Sequence, residues 1–288
     1  ATITHTGFEE LRELCEITGD RISLAVGMAG TATATLFDTR YGDANAMAND
    51  LIELLDSIGD PTLFVGLAIA AANVKMQVGE PQAALRIADR AIEGAHDDAT
   101  MASMIIGSPL AMALGVRAFS LLSLGLSGFA AEFDRALRVS RDVDDTTSFL
   151  TNHVWRSAAI INQAMEVGSR ELEEACEAVQ IAERTGDDFG LNSARYTLAV
   201  ALIHGRELPL ASVESQVLKL REDVRNQRYA NRLWTPLIDQ LVAVGRARRG
   251  DDKGAIDLIR SVIAVARSSG STMASGPSTA LLVESLVR

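Results

Sequence analysis

Four histidines and two cysteines are the side chains in this sequence best able to bind a transition metal or act as a nucleophile. No pair among them has the spacing of zinc ligands on a helix or in a loop. We therefore expect no metal site, and we expect both cysteines to be free thiols in a reducing compartment. The six residues are His5, His96, His153, His204, Cys15 and Cys176.

Paired carboxylates are the next candidates, because two neighbouring acids can perform acid–base chemistry or bind Mg²⁺. Each pair precedes a segment with helical periodicity, where a carboxylate can cap the free N–H groups and is favoured by the helix dipole. A catalytic pair needs to occur once, whereas these recur along the chain, so we interpret them as helix caps. The pairs are Asp97-Asp98, Asp144-Asp145, Asp187-Asp188 and Asp251-Asp252.

Motifs of known catalytic sites are missing from the sequence. There is no Gly-x-Ser-x-Gly, and Ser108 in Gly107-Ser108-Pro109 has no histidine near it, so we expect this serine to stabilise a turn or cap a helix. No lysine follows a glycine, which excludes a P-loop. The sequence therefore predicts a protein that is not an enzyme and that has no catalytic residue and no cofactor.

Two interleaved series of stop signals divide the chain into repeats. A glycine or αL-tolerant residue can end a helix, and the polar residue after it can cap the next one. Within each series the signals recur every 37 to 49 residues, which predicts helix–turn–helix units. The first series is Gly42-Asp43, Gly79-Glu80, Gly128-Phe129, Gly168-Ser169, Gly205-Arg206 and Gly250-Asp251. The second is Gly19-Asp20, Gly59-Asp60, His96-Asp97, Asp144-Asp145 and Gly186-Asp187.

Hydrophobic periodicity between these signals predicts two kinds of helix. Residues 80–94, 169–184 and 251–267 each carry one apolar stripe, as expected of an outer helix packed on one side. The first helix of each unit is apolar over a wider arc and should be covered on both sides. We predict an all-α fold, a tetratricopeptide-like right-handed superhelix of about six units. The predicted first helices span 61–77, 110–124, 145–166, 188–203 and 229–247.

The rhythm of residues 79–84, Gly-Glu-Pro-Gln-Ala-Ala, resembles tetratricopeptide repeats. The runs at 19–30, 58–61, 107–118 and 182–188 resemble the C-terminal helical region of large actinobacterial regulators. Those proteins typically join an optional nucleotide-cyclase domain, a P-loop signalling ATPase, a helical-repeat arm and sometimes a LuxR-type helix-turn-helix. The resemblance covers the arm only and carries no catalytic or DNA-reading residue over. It implies one helical-repeat domain over 1–288, cut from a larger protein.

Charge and hydropathy restrict the partners. The net charge of −11 argues against nucleic acid, because phosphate binding needs a basic surface. No apolar run reaches the roughly 20 residues that span a bilayer, and no signal peptide is visible. We therefore expect a cytoplasmic protein that binds neither nucleic acid nor a membrane.

Polar and aromatic residues on the first helices are the candidate binding residues, because first helices line the concave face of such superhelices. A partner segment would bind there, and the protein's own ATPase domain is one candidate partner. The alternative role for the chain is an oligomerisation module of a LuxR-type regulator, with a homodimer as one form. The alternative for the residues is that the aromatic rings pack between helices and the arginines are solvated. The candidates are Asn152, Trp155, Arg156, Asn192, Arg195 and Tyr196.

Overall fold

The structure, a computed structural model, shows a chain of α-helices joined by turns. No β-strand occurs in the residues that it describes, so the prediction of an all-α fold is confirmed for them. Helix-forming Ala and Leu dominate the apolar residues, and this explains the outcome. The described residues are 2–103, 107–205, 210–226, 234–270 and 275–287.

The chain divides into two compact units, Ala1–Asn152 and His153–Arg288, and the division falls within the eighth helix. The helices of the first unit are α1 (Thr2–Thr18), α2 (Arg21–Phe37), α3 (Tyr41–Ile58), α4 (Pro61–Gln77), α5 (Pro81–Ala95), α6 (Pro109–Ser123) and α7 (Phe129–Asp142). The eighth helix, α8 (Thr146–Ile161), has residues in both units. Those of the second unit are α9 (Ser169–Thr185), α10 (Asp188–His204), α11 (Leu210–Asn226), α12 (Trp234–Arg248), α13 (Asp252–Ser269) and α14 (Ser275–Val287).

Within each unit the helices pack in two layers. Consecutive helices contact each other from α1 to α7 and from α9 to α14, and in addition α2 contacts α4, α4 contacts α6, α10 contacts α12 and α12 contacts α14. We call the helices with these next-but-one contacts the inner helices, and those between them the outer helices. Burial agrees with this division: 13 of the 17 residues of inner α4 are buried, against four of the 15 of outer α5. The two predicted kinds of helix are confirmed.

Outer helices approach the inner layer through a stripe of alanines. In α5 the buried residues are Ala84, Ala88, Ala91 and Ala95, at spacings of four and three that keep them on one face. In α9, which contacts α10, a similar buried stripe consists of Ala175, Ala178 and Ala182. A methyl side chain lets two helix axes come close, and the charged residues of the same helix stay in water.

Helix ends follow the predicted stop-and-cap chemistry at most positions. Gly59 and Gly186 end α3 and α9 in the left-handed conformation. The side chain of Asp60 accepts hydrogen bonds from the N–H groups of Thr62 and Leu63, and Asp187 caps α10 in the same way.

Several predicted boundaries need correction. The helix predicted over 145–166 ends at Ile161, and Asp97-Asp98 is followed by turns and not by a helix; the N–H of Thr100 donates to Asp98 there. Gly42 lies in the first turn of α3 and does not end a helix; α2 ends at Phe37, and Thr39 takes the positive φ of 60°. Gly168 and Gly205 have extended backbone and not the left-handed conformation, so their turns need no glycine for φ. The predicted start of the fifth first helix at residue 229 lies outside the described residues.

The loop before α6 is fixed by one carboxylate. Asp145 accepts a hydrogen bond from the N–H of Ser108, and its other oxygen accepts one from the N–H of Ser148 at 3.2 Å. Ser108 in turn caps α6 by accepting from the N–H of Ala111. The predicted roles of Ser108 and of the Asp144-Asp145 pair as cap residues are confirmed. In the part of the chain that the structure describes, no helix has the length and apolar character to cross a membrane.

Candidate functional site

Five of the six predicted binding residues lie inside the protein. On α8, Asn152 is fully buried, and its Nδ2 donates a hydrogen bond to the carbonyl of Ala111 at 3.1 Å. Trp155 on the same helix is 3% exposed. Both side chains therefore contact their own chain, as the packing alternative expects of Trp155.

Arg156 is also buried, at 4% exposure, and its charge is neutralised by two carboxylates of α9. Its Nη2 lies 3.2 Å from Oε1 of Glu171, and its Nη1 donates to Oε2 of Glu174. Burial raises the pKa of Glu174, but the positive charge and hydrogen bond of Arg156 outweigh it and hold the pKa below its ordinary value. This cluster joins α8 to α9, so Arg156 is not a solvated arginine.

Asn192 and Tyr196 lie on α10 and are 2% and 1% exposed. The ring of Tyr196 packs against that of Trp234, with 5.5 Å between centroids, and burial raises the pKa of its hydroxyl. Trp234 is 1% exposed and lies in the core. These rings and Phe189, whose centroid is 5.9 Å from that of Trp234, form the aromatic part of the second unit's core.

Arg195 is the one predicted residue that reaches the surface. Its Nη1 lies 3.1 Å from Oδ2 of Asp223. The two residues line a cavity of about 220 Å³ formed by α9, α10 and α11. Arg195 therefore lies on the side of α10 that faces α9 and α11. The structure therefore does not bring the six predicted residues together into one groove.

A larger cavity lies in the second unit, on the side of the inner helices. Its volume is about 900 Å³, within the range of ligand pockets, about 300–1,000 Å³. It is lined by the C-terminal turn of α8, the segment 162–167 after it, the end of α10, one face of α12 and one face of α14. We call it the inner cavity. Its lining on α12 consists of Gln240, Val244, Ala247 and Arg248.

The inner cavity has an uncharged floor and a charged rim. Its buried lining residues are Ile160, Gln240, Val244 and Ala247, none of which carries a charge. Burying an unpaired charge against such a floor would be costly. The exposed lining residues are Asn162, Gln163, Glu166, Arg248, Ala280 and Glu284.

His204, the last residue of α10, lies between the floor and the rim and is partly buried. Burial and the positive charge of Arg248 lower its pKa to about 4, so the imidazole is neutral at pH 7. Its Nε2 is buried and has no hydrogen-bond partner among the described residues. Neutral imidazole carries one donor and one acceptor, so this nitrogen offers a hydrogen bond to an occupant of the cavity.

Three helices end at the inner cavity. Ile161, His204 and Arg248 are the last residues of α8, α10 and α12, and all three line it. The C-terminus of a helix carries partial negative charge from its carbonyl groups. One guanidinium already binds at such an end: Nη1 of Arg248 donates a hydrogen bond to the carbonyl of Ile203, near the C-terminus of α10.

Comparison with known proteins gives no assignment: the chain matches no protein-family model and no curated protein. Among the described residues no three His, Cys, Asp or Glu side chains are grouped so that they could hold a metal ion. The inner cavity is therefore the feature on which a functional proposal can be based.

Sequence reasoning missed the inner cavity because it looked for aromatic and arginine residues at mid-helix. One signal was available. Residues 240, 244, 247 and 248 lie on one helix face, where the polar Gln240 and Arg248 flank the apolar Val244 and Ala247. His204 and the turn after α8 lie beside this face because of the way α8, α10 and α12 pack. No spacing in the sequence shows this packing.

Proposed function

We propose that this chain is a tetratricopeptide-like binding module whose inner cavity holds a short extended segment of a partner protein. The observation that carries the proposal is the cavity of about 900 Å³ lined by helices α8, α10, α12 and α14. Contacts between next-but-one helices support a repeat of this type: α2 with α4 and α4 with α6 in the first unit, and α10 with α12 and α12 with α14 in the second.

The dimensions of the cavity favour a segment of a few residues. The lining on α12 extends from Gln240 to Arg248, eight residues, which is about 12 Å along a helix. Three or four residues of extended chain, at about 3.3 Å each, span that length. Carboxamides at Asn162, Gln163 and Gln240 offer both donors and acceptors, as the backbone of an extended segment needs.

In a larger protein this module would act as the interaction or sensor arm of a signalling ATPase or transcriptional regulator. The domain attached to it is one candidate source of the segment that the cavity binds. The proposal assigns no catalytic step to the chain. Binding free energy would come from apolar contacts with the floor and hydrogen bonds to Gln240 and His204, both of which line the cavity.

Selection of a phage-displayed random peptide library on the complete chain tests this function. Selected peptides would then be titrated into the chain and into two tryptophan variants. Ala280→Trp places an indole in the cavity, and Ala264→Trp adds the same ring at an exposed alanine of α13 outside it. We expect Ala280→Trp to weaken binding at least about ten-fold, a loss of about 1.4 kcal/mol, and Ala264→Trp to leave it unchanged. Failure to select any peptide, or equal binding by both variants, would refute the proposal.

The second candidate function, an oligomerisation module of a DNA-binding regulator, is favoured by apolar side chains exposed on α14. Val283, Leu286 and Val287 are 57%, 56% and 82% exposed. Exposed apolar patches often mark association surfaces. Light scattering of the purified chain measures its mass directly. A stable dimer that Val283→Glu and Leu286→Glu together dissociate would support this candidate, and a monomer at high micromolar concentration would exclude it.

A further inference from the structure

The charged residues that line the inner cavity give it a net negative charge. Two carboxylates, Glu166 and Glu284, lie on its rim against one guanidinium, Arg248. With a neutral imidazole at His204, the charges that line the cavity sum to −1. The sign matches that of the chain, whose net charge is −11.

The backbone adds to this negative potential. The last residues of α8, α10 and α12 line the cavity, so the negative ends of three helix dipoles point at it. The hydrogen bond from Arg248 to the carbonyl of Ile203 shows that a guanidinium binds at one of these ends. A cation brought by an occupant would meet the carboxylates of Glu166 and Glu284 at the rim.

The uncharged floor restricts where such a cation can lie. Ile160, Val244 and Ala247 are buried and apolar, so a charged group there would lose its hydration without a counter-ion. The rim is exposed at Glu166 and Glu284, where a long basic side chain keeps its charged head in water. The occupant is therefore divided into an apolar or hydrogen-bonding part for the floor and a basic part for the rim.

We infer that the segment bound by the inner cavity is basic, with a lysine or arginine side chain at the rim beside Glu166 and Glu284 and uncharged residues on the floor. This inference rests on the proposed function, since it names the chemistry of the same occupant. Charge complementarity of this kind acts mainly on partner choice and on the association rate.

Three synthetic hexapeptide mixtures test the inference, all capped at both ends and labelled with a fluorophore. Four positions vary among Ala, Leu, Ser and Gln, and the two central positions are both Lys, both norleucine or both Glu. Norleucine keeps the length of lysine without its charge. We expect the complete chain to bind the Lys mixture about ten-fold more tightly than the norleucine mixture, and the Glu mixture most weakly.

Paired charge variants locate the effect. Glu166→Gln with Glu284→Gln should reduce the preference for Lys to within about two-fold, because the carboxylates at the rim are gone. Glu173→Gln with Glu183→Gln makes the same change in net charge at exposed positions of α9, away from the cavity, and should keep the preference. All four are surface carboxamide substitutions, and circular dichroism would verify that helix content is unchanged.

The outcomes separate this inference from the function on which it rests. If the norleucine mixture binds as tightly as the Lys mixture, or the α9 pair removes the preference equally, the basic segment is excluded while the cavity remains a binding site. If n-butylamine alone displaces the Lys mixture completely at low millimolar concentration, the occupant is a small amine and not a segment. If no mixture binds and Ala280→Trp changes nothing, the proposed function fails as well.

Discussion

Arg156 on α8 and Glu171 on α9 form a buried ion pair, with 3.2 Å between Nη2 and Oε1. Their side chains are 5% and 17% exposed, and Glu174, at 14%, contacts the same guanidinium. A charge at this depth is stable only when it is paired, because removal from water costs several kcal/mol per ion. Arg156 therefore stabilises the packing of α8 on α9, although its residue type and position also suited a binding surface.

Arg156→Met should be strongly destabilising, because it leaves two carboxylates without their buried counter-ion. We expect a loss of about 3–5 kcal/mol in the free energy of unfolding. Trp155 and Trp234 are the two tryptophans of the chain and both belong to the second unit, so urea unfolding followed by fluorescence reports on this unit.

Arg170→Met is the matched control for that variant. Arg170 also contacts Glu174, at 3.0 Å, but its side chain is 60% exposed. An exposed pair contributes about 0–1 kcal/mol. Equal losses for the two variants would show that the Arg156 pair is not buried in solution.

Trp155→Ala tests whether the indole belongs to the core. The residue is 3% exposed, and truncation of a buried Trp typically costs about 3–5 kcal/mol through lost contacts and the cavity left behind. Urea unfolding monitored by circular dichroism gives the value. A change under about 0.5 kcal/mol would indicate a surface residue and would return Trp155 to the candidates for partner binding.

Ala88→Leu should be poorly tolerated, because Ala88 is fully buried in the stripe through which α5 meets the inner layer. Three added carbon atoms force the helices apart or into strained rotamers, at about 1–3 kcal/mol. Gln82→Leu introduces a leucine at an exposed position of α5 and should change the free energy of unfolding by no more than about 0.5 kcal/mol. A similar effect at both positions would contradict the close approach of α5.

The pKa of His204 makes a prediction about acid stability. Its folded pKa is lowered to about 4 from an ordinary 6.5, so between these values the unfolded chain binds a proton that the folded chain does not. Stability then rises with pH through this window and falls as pH drops from 6.5 to 4. Below pH 4 the full effect is reached, a loss on the order of 3 kcal/mol in the free energy of unfolding.

His204→Gln should remove that part of the pH dependence. Nuclear magnetic resonance of the imidazole, assigned by its disappearance in the variant, gives the pKa directly. The charged residues that share the cavity are Glu166, Arg248 and Glu284, and this variant leaves all three in place. An imidazole that titrates near 6.5 would mean that His204 is accessible to water.

Helix positions were largely readable from the sequence because they depend on local chemistry. The predicted helix 61–77 matches α4, and 188–203 matches α10 to within one residue. Pro61 begins α4 with Asp60 as its cap, and Gly186 with Asp187 separates α9 from α10. The prediction was wrong at Gly42, because the sequence alone does not distinguish a glycine in the first turn of a helix from one that ends a helix.

The candidate site was much less predictable than the helices. Arg156 on α8 and Arg195 on α10 have the same residue type, yet one is 4% exposed and the other reaches the surface. The difference lies in their neighbours: Glu171 and Glu174 approach Arg156 from α9, whereas Asp223 meets Arg195 at a half-exposed position on α11. Periodicity gives the face of a helix but not the helix that covers it.

The sequence by itself determined an all-helical chain, the places where most helices begin and end, and the distinction between broadly apolar inner helices and striped outer ones. Each of these follows from interactions within a few residues: a cap, a left-handed glycine, a stripe at spacings of three and four. The tertiary structure alone decided that His204 and Gln240 line one cavity, 36 residues apart in the chain, while Trp155 and Tyr196 are buried. Cavities form where packed helices fail to fill space, and that depends on side chains far apart in sequence.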